Sequence, residues 1–419
     1  MDKYLELLKR EMVPAFGCTE PIALAYTAAK AVEVLGCFPD KICLRCSRNM
    51  IKNAKSVTIP NSAGKKGLYY SVILGAVVGK PQYNLEILEQ LTAADLQRAE
   101  ALYKDDFCTI VLEPEVENLY IAIEAYSGSD LVTVIVQGSH TNIMKIQRND
   151  TILFVKEEDR ISSYDDVDLS FQGIYDFARK GAIEEIKDIL RLEIRYNRAI
   201  AEEGLRNNYG ANIGKLFRSE DGTFGSVMLK AQAYAAAGSD ARMSGCALPV
   251  CINSGSGNQG MTVSLPIIVH AEAGTHSEEE LFRALIFANL LSLYIKKGIG
   301  RLSAYCGVVS AAAASAAGIA FMKQEKIDII KNTLSNSLAA VSGIICDGAK
   351  PSCAMKIAVA VGTALLSYRQ AQEHNSFQPG DGIVKADIDQ TIAAVCAVAK
   401  KGMKETDIVI LNEMLANEA

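Results

Sequence analysis

Apolar positions follow two regimes along this chain. Near the N-terminus, LELLKREM (residues 5–12) and PIALAYTAAKAVEVLG (21–36) repeat at helical spacing, and Pro21, with Cys18 or Thr19 just before it, suits a helix start. KICLRCS (41–47) and SVTIP (56–60) read as strands, and LYYSVILGAVVG (68–79) as a buried helix. Between residues 107 and 155, FCTIVLEP, LYIAIEAY, LVTVIVQG and TILFVK alternate or cluster β-forming residues between the turn signals SGSD and QRND. That pattern predicts an antiparallel sheet. From about residue 170 the period returns to helical. FARKGAIEEIKDILRLEIRYNRAIAEEGL, VMLKAQAYAAAG, EEELFRALIFANLLSLYIKKG, an Ala-rich run, IKNTLSNSLAAVSGI and a final pair of segments all carry it. The expected fold class is α+β. An N-terminal α+β domain with an antiparallel sheet spans residues 1–170, and a mostly α-helical domain spans 171–419.

Composition narrows what such a chain can do. Of its 419 residues, 49% are hydrophobic and 22% charged, a globular balance. A net charge of −6 with no basic run argues against a nucleic-acid partner. The uncharged stretch from Leu302 to Met322 is built of Ala, Ser and Gly, which drive membrane insertion weakly, so a buried helix is expected and no membrane partner. The first residues, MDKYLELLKREMVPAF, contain no continuous apolar run of a secretory signal, and the expected location is cytoplasmic. There, eleven cysteines are buried fillers, ligands or catalysts rather than disulfides. Four scattered histidines form neither a helical metal pair nor a nucleophile triad.

Four constellations could carry chemistry. Cys306 stands just before Gly307 and the Ala-rich helix, while Cys346 and Cys353 flank the loop DGAKP, Cys346 ending one helix and Cys353 starting the next. Helix starts beside thiolates offer backbone N–H groups to an anionic iron–sulfur cluster, and three protein ligands leave one iron open as a Lewis acid. Buried structural thiols explain the same pattern equally well. Second, CINSGSGNQGMTVSLPI holds a literal G-x-G-x-x-G, but Pro266 is expected to interrupt the following helix, which argues against a dinucleotide site. Its Ser256, Asn258 and Gln259 suit a small carboxylate instead, with an ordinary polar turn as the alternative. Third, Cys18, Thr19 and Glu20 sit at a helix N-terminus, which is expected to lower a thiol pKa; a plain capping turn is the alternative. Fourth, the loop NSAGKKG offers Asn61, Ser62, Lys65 and Lys66 as a further carboxylate cradle, or as a solvated surface loop. Cys43 and Cys46 have zinc-like spacing without a second pair and read as small buried thiols of a strand.

Together, GCTEP, NSAGKKG, SGSGNQG, the Cys-Gly start of the Ala-rich helix and CDGAKPSC resemble, in order and over nearly the whole chain, the L-cysteine desulfidase family, which belongs with the iron–sulfur L-serine dehydratases. The resemblance implies a [4Fe-4S] cluster on Cys306, Cys346 and Cys353. It also implies a non-redox β-elimination that turns L-cysteine into pyruvate, ammonia and sulfide. GCTEP stands where the serine dehydratases carry a Ser- and His-containing loop, and the C-terminal LNEMLANEA lacks the terminal cysteine of some of them. Cys346 and Cys353 also have fewer residues between them than the matching pair of the serine dehydratases, and these departures favour cysteine over serine as the small amino-acid substrate.

On this reading Cys18 is the base for the α-proton or, in place of Cys353, a cluster ligand. Thr19, Glu20, Asn61, Ser62, Lys65, Lys66, Ser256, Asn258 and Gln259 bind substrate. A homodimer is compatible with it. The competing readings are an L-serine dehydratase of the same type, a pyridoxal-phosphate eliminase with Lys230 as Schiff base, and a cluster-free metabolite-binding paralogue.

Overall fold

The chain opens with α1 (Lys3–Glu11), a short strand β1 (Pro14–Phe16) and α2 (Thr19–Leu35). In the computed structural model, which describes residues 3–156 and 167–416, these are followed by β2 (Lys41–Ser47), α3 (Arg48–Ala54), α4 (Gly67–Val78) and α5 (Ala93–Lys104). Five strands come next: β3 (Cys108–Glu113), β4 (Tyr120–Ser127), β5 (Asp130–Gln137), β6 (Ile143–Arg148) and β7 (Thr151–Val155). They join β2 in a six-stranded sheet of order β3-β2-β4-β5-β6-β7. Every pairing is antiparallel except β2 with β3, which is parallel because α3, α4 and α5 make the crossover between them. Alternate residues Ile121, Ile123, Ala125, Val132, Val134 and Val136 are buried and share one apolar core with α2 and α4.

The rest is helical. It comprises α6 (Phe171–Lys180), α7 (Lys187–Arg206), α8 (Val227–Met243), a three-residue strand β8 (Pro249–Cys251), α9 (Gly257–Ala273), α10 (Glu278–Ile299), α11 (Gly307–Met322), α12 (Ile327–Val341), α13 (Cys353–Gln372), α14 (Ile388–Ala397) and α15 (Lys404–Ala416). The Ala-rich α11 is buried along almost its whole length within the helical core, as expected of a stripe too small and weakly apolar for lipid. No helix among the described residues is long and apolar enough to cross a membrane.

The two halves exchange their ends. Leu5, Leu7 and Leu8 of α1 bury in the helical core, and β1 pairs antiparallel with β8, Ala15 opposite Val250. At the other terminus, Leu411 of α15 buries in the core of the sheet half.

Local departures from the sequence reading have identifiable causes. Residues 56–60 form no strand, only a bridge from Thr58 to Lys66, because the chain turns back into the NSAGKKG loop. Helix α5 shows no apolar face in the sequence because it buries little more than Ala99; its signal is the capping box of Thr92 and Asp95. Helix α9 runs straight through Pro266, since burial of nearly every residue around it outweighs the lost N–H. Cys346 does not end a helix: α12 stops at Val341, and Cys346 lies in the loop beyond.

Candidate active site

Cys306 and Cys346 are brought together by main chain, not by a helix. Tyr305 and Ile345 form an isolated antiparallel bridge, with Cys306 N–H donating to Ile344 O at 3.0 Å and Cys346 N–H to Ala304 O at 2.6 Å. The loop then crosses α3 at Gly348, where φ is +89° and a Cβ would lie 2.2 Å from Lys52 O, so only glycine fits. Lys350 and Lys356 hold the loop carbonyls of Asp347 and Ile345, and Cys353 begins α13. Cys306 is the N-cap of α11 and has no side-chain cap bond of the usual kind.

A cavity of about 90 Å³ lies at the junction of the two halves. Cys18, Cys306, Cys346 and Cys353 all line it, with Glu20, Ser256, Asn258 and Gln259. Residues 253–256 make a tight turn with φ of +52° at Ser254 and +76° at Gly255, and Ser256 then caps α9 by accepting the Gln259 N–H. The glycines of G-x-G-x-x-G serve packing, not a phosphate. A Cβ at Gly257 would lie 2.4 Å from Arg242 Nε, and one at Gly260 2.0 Å from Cys251 O.

At the start of α2, Cys18 Sγ donates to Glu20 Oε2 at 3.3 Å. Thr19 Oγ1 is spent on Gly255 O at 2.8 Å and on the same Glu20 oxygen at 3.1 Å, so Thr19 ties α2 to the turn and does not line the cavity. Asn53 donates to the other Glu20 oxygen at 3.4 Å, and His140 Nε2 stands 4.0 Å from it. The helix start does not lower the Cys18 thiol as expected. Burial and the neighbouring Glu20 carboxylate push it well above its ordinary value, outweighing Arg242.

The NSAGKKG loop does not reach this cavity. Asn61 donates to the carbonyls of Leu88 and Glu89, and Ser62 to Ile59 O and Lys65 O. Lys65 pairs with Glu100 beside Tyr70, and Lys66 precedes α4. The loop folds on itself and on residues 88–100, so its donors are directed away from the thiols.

Sequence reasoning missed the cations. Arg242, Lys296 and Arg301 line the cavity. Lys52, almost fully buried behind it, donates to Ser303 O and pairs with Asp407 of α15. Burial lowers the Lys296 amine to about 8 against the opposing pull of Cys346 and Cys306. Cys346 is held below the usual thiol range by a hydrogen bond from Cys306 and by Lys52 and Lys296, while Cys306 is correspondingly raised. The legible signal was a charge inside an apolar or Ala-rich run, as in AAAGSDAR and LLSLYIKKG.

Among the described residues no three His, Cys, Asp or Glu side chains are set to grip a single ion. Instead three thiols ring a volume, with cations behind them and helices starting at two of them. That donor set fits a polynuclear iron–sulfur group, in which thiolates are the protein ligands. Lys230 is outside this cavity, near Glu272 at 3.9 Å and over the Tyr234 ring, so a Schiff-base role there has no support from the geometry.

Fold and site define an α+β protein whose two halves close on a small, cationic, thiol-lined pocket. The sequence model of the family described as serine dehydratase alpha chain matches residues 82–412. A UPF0597 protein of Finegoldia magna is 45% identical over 420 residues, covering 99% of this chain and all of that protein. One of Lachnoclostridium phytofermentans is 46% identical over 418 residues, covering 99% of each. One of Treponema denticola is 43% identical over 421, covering 99% and 98%. The chain belongs to the serine dehydratase alpha chain family, among the iron–sulfur serine dehydratase-like proteins.

Proposed function

We propose that this protein is an L-cysteine desulfidase, a carbon–sulfur lyase that converts L-cysteine and water to pyruvate, ammonia and sulfide at a [4Fe-4S] cluster. The observation that carries the reading is the convergence of Cys18, Cys306, Cys346 and Cys353 with Glu20, Asn258 and Gln259 on one small cavity, in a chain of this family. Cys306, Cys346 and Cys353 would hold the cluster, the low thiol of Cys346 being the readiest to bind as thiolate. When bound, the cluster would supply Lewis-acid chemistry toward the leaving sulfur.

The protein's own groups do the rest. Cys18, on the cavity wall with its resting proton directed at the Glu20 carboxylate, is the group placed to take the α-proton of the substrate once it is ionised. The freed electron pair forms the Cα–Cβ double bond as the Cβ–S bond breaks and sulfide leaves. Aminoacrylate then hydrolyses to pyruvate and ammonia.

The test is anaerobic reconstitution with iron and sulfide, followed by iron content, visible absorption, and pyruvate and sulfide release from L-cysteine beside L-serine. The expected result is a brown protein that releases both products from L-cysteine faster than it releases pyruvate from L-serine. The reverse preference makes it an L-serine dehydratase of the same type. A colourless protein without turnover removes the reading.

A further inference from the structure

Two buried polar atoms of opposite kind are left without partners on the wall of the thiol cavity. Arg242 is 2% exposed, and its Nε has no hydrogen-bond partner. Its Nη1 has only the neutral Asn258 Oδ1 at 3.4 Å, and no carboxylate of the described residues makes an ion pair with it. A guanidinium cannot shed its proton, so burying one unpaired is costly unless an anion arrives. Gln259 is 4% exposed, and its Oε1 is an unpartnered acceptor. Its amide packs where a Cβ of Gly307 would be, next to Cys306. Glu20, with one oxygen on Cys18 and Thr19 and the other on Asn53, is the carboxylate lining the same cavity.

We propose that Arg242 binds the α-carboxylate of the substrate and that Gln259 Oε1, with Glu20, binds its α-ammonium, making the cavity selective for α-amino acids. An orphan donor that is always cationic and an orphan neutral acceptor beside an anion match the two ends of a zwitterion. They match neither a simple anion nor an amine. Gly257 lets the guanidinium lie against the 253–259 loop, which places its forked donors beside Asn258. The assignment rests on the elimination reading only for the identity of the substrate; the clamp itself requires only an α-amino acid.

The test is calorimetric binding to the full-length, anaerobically reconstituted protein, using L-cysteine, cysteamine (no carboxylate) and 3-mercaptopropionate (no ammonium). The wild-type protein should bind L-cysteine about 100-fold more tightly than either truncated analogue. Arg242→Met should lower L-cysteine affinity to that of cysteamine, leave cysteamine unchanged and retain its iron. Gln259→Leu should erase the advantage of L-cysteine over 3-mercaptopropionate. Equal weakening of L-cysteine and cysteamine in Arg242→Met, or loss of iron from it, overturns the proposal and makes Arg242 a counter-charge to the cluster. If Arg242→Met does not fold, Arg242→Lys carries the same test: roughly tenfold weaker L-cysteine with unchanged cysteamine supports the fork, and an equal loss on both overturns it. L-cysteine that binds through Arg242 without releasing sulfide or pyruvate leaves the clamp standing and removes the lyase. Turnover of L-cysteine with no discrimination against cysteamine does the opposite.

Discussion

At the residue scale, what separates a site thiol from a filler is its surroundings. Cys46 and Cys108 lie in the sheet core, where burial raises both thiols to about 12, and Cys396 donates to Ile295 O at 3.4 Å. Such thiols are inert small hydrophobes. Cys346 faces two lysines and a donating thiol instead. Cys346→Ala should therefore cut reconstituted iron to under about a third, while Cys396→Ala keeps it, because only thiolates facing the cavity ligate. Iron assay of both variants decides this, and equal iron would remove Cys346 from the ligand set. Cys18→Ser should keep the iron and lose about 100-fold or more in kcat, the contribution of a positioned base. Loss of iron would make Cys18 a ligand.

A second residue sets a pH dependence away from the site. Glu193 is fully buried in α7, accepts from Asn289 Nδ2, and burial raises its carboxyl from 4.5 to about 8. The unfolded chain releases this proton near 4.5 and the folded chain keeps it until about 8. The stability present below pH 4.5 is thus lost as pH rises toward 8. Glu193→Gln should remove that slope and gain on the order of 2 kcal/mol at pH 8, read from denaturant midpoints across pH 5–8. Parallel profiles for the variant and the wild type would count against it.

At the scale of elements, the site is made by helix starts and the contacts that fix them. Helix α2 begins beside the α9 loop because Thr19 donates to Gly255 O. Thr19→Val keeps the shape but leaves that carbonyl without its partner, a loss of about 1–3 kcal/mol. The melting temperature should fall, and KM for L-cysteine should rise more than kcat falls, since Thr19 positions the loop without touching the cavity. An unchanged melting temperature would show that the bond is not made in solution.

At the scale of the molecule, the halves are cross-braced at both chain ends. The brace nearest the site is Asp407 of α15, which pairs with Lys52 of α3 while Lys52 also donates to Ser303 O, three residues before Cys306. Lys52 is 1% exposed and Asp407 somewhat more. Asp407→Ala should cost about 2–4 kcal/mol, because it leaves a buried ammonium with one carbonyl. Limited proteolysis should then cut within residues 404–416 faster than in the wild type. A change below about 0.5 kcal/mol would show that Lys52 finds another partner.

What the sequence determined by itself is what is local or periodic. The two-residue alternation of β2, β4 and β5, the helical period of α7 to α13, and the small-residue composition that buries α11 all follow from which side chains must leave water. Ser256, Asn258, Gln259, Cys306, Cys346 and Cys353 stood out because short loops of Gly, Ser, Asn and Cys beside helix starts are local signals, and the cavity gathers all six. Only the tertiary structure decided which loops share that cavity. NSAGKKG and SGSGNQG look alike as donor-rich turns, yet the first spends its groups on its own carbonyls and on Glu100, and the second faces the thiols. It also decided the electrostatics. Arg242 and Lys296 drew no notice in the sequence, and the Cys18 thiol reads there as one lowered by its helix. Burial turned the first into an unpaired cation, lowered the second and raised the third. Desolvation depends on what packs from elsewhere in the chain, and sequence neighbours do not record it.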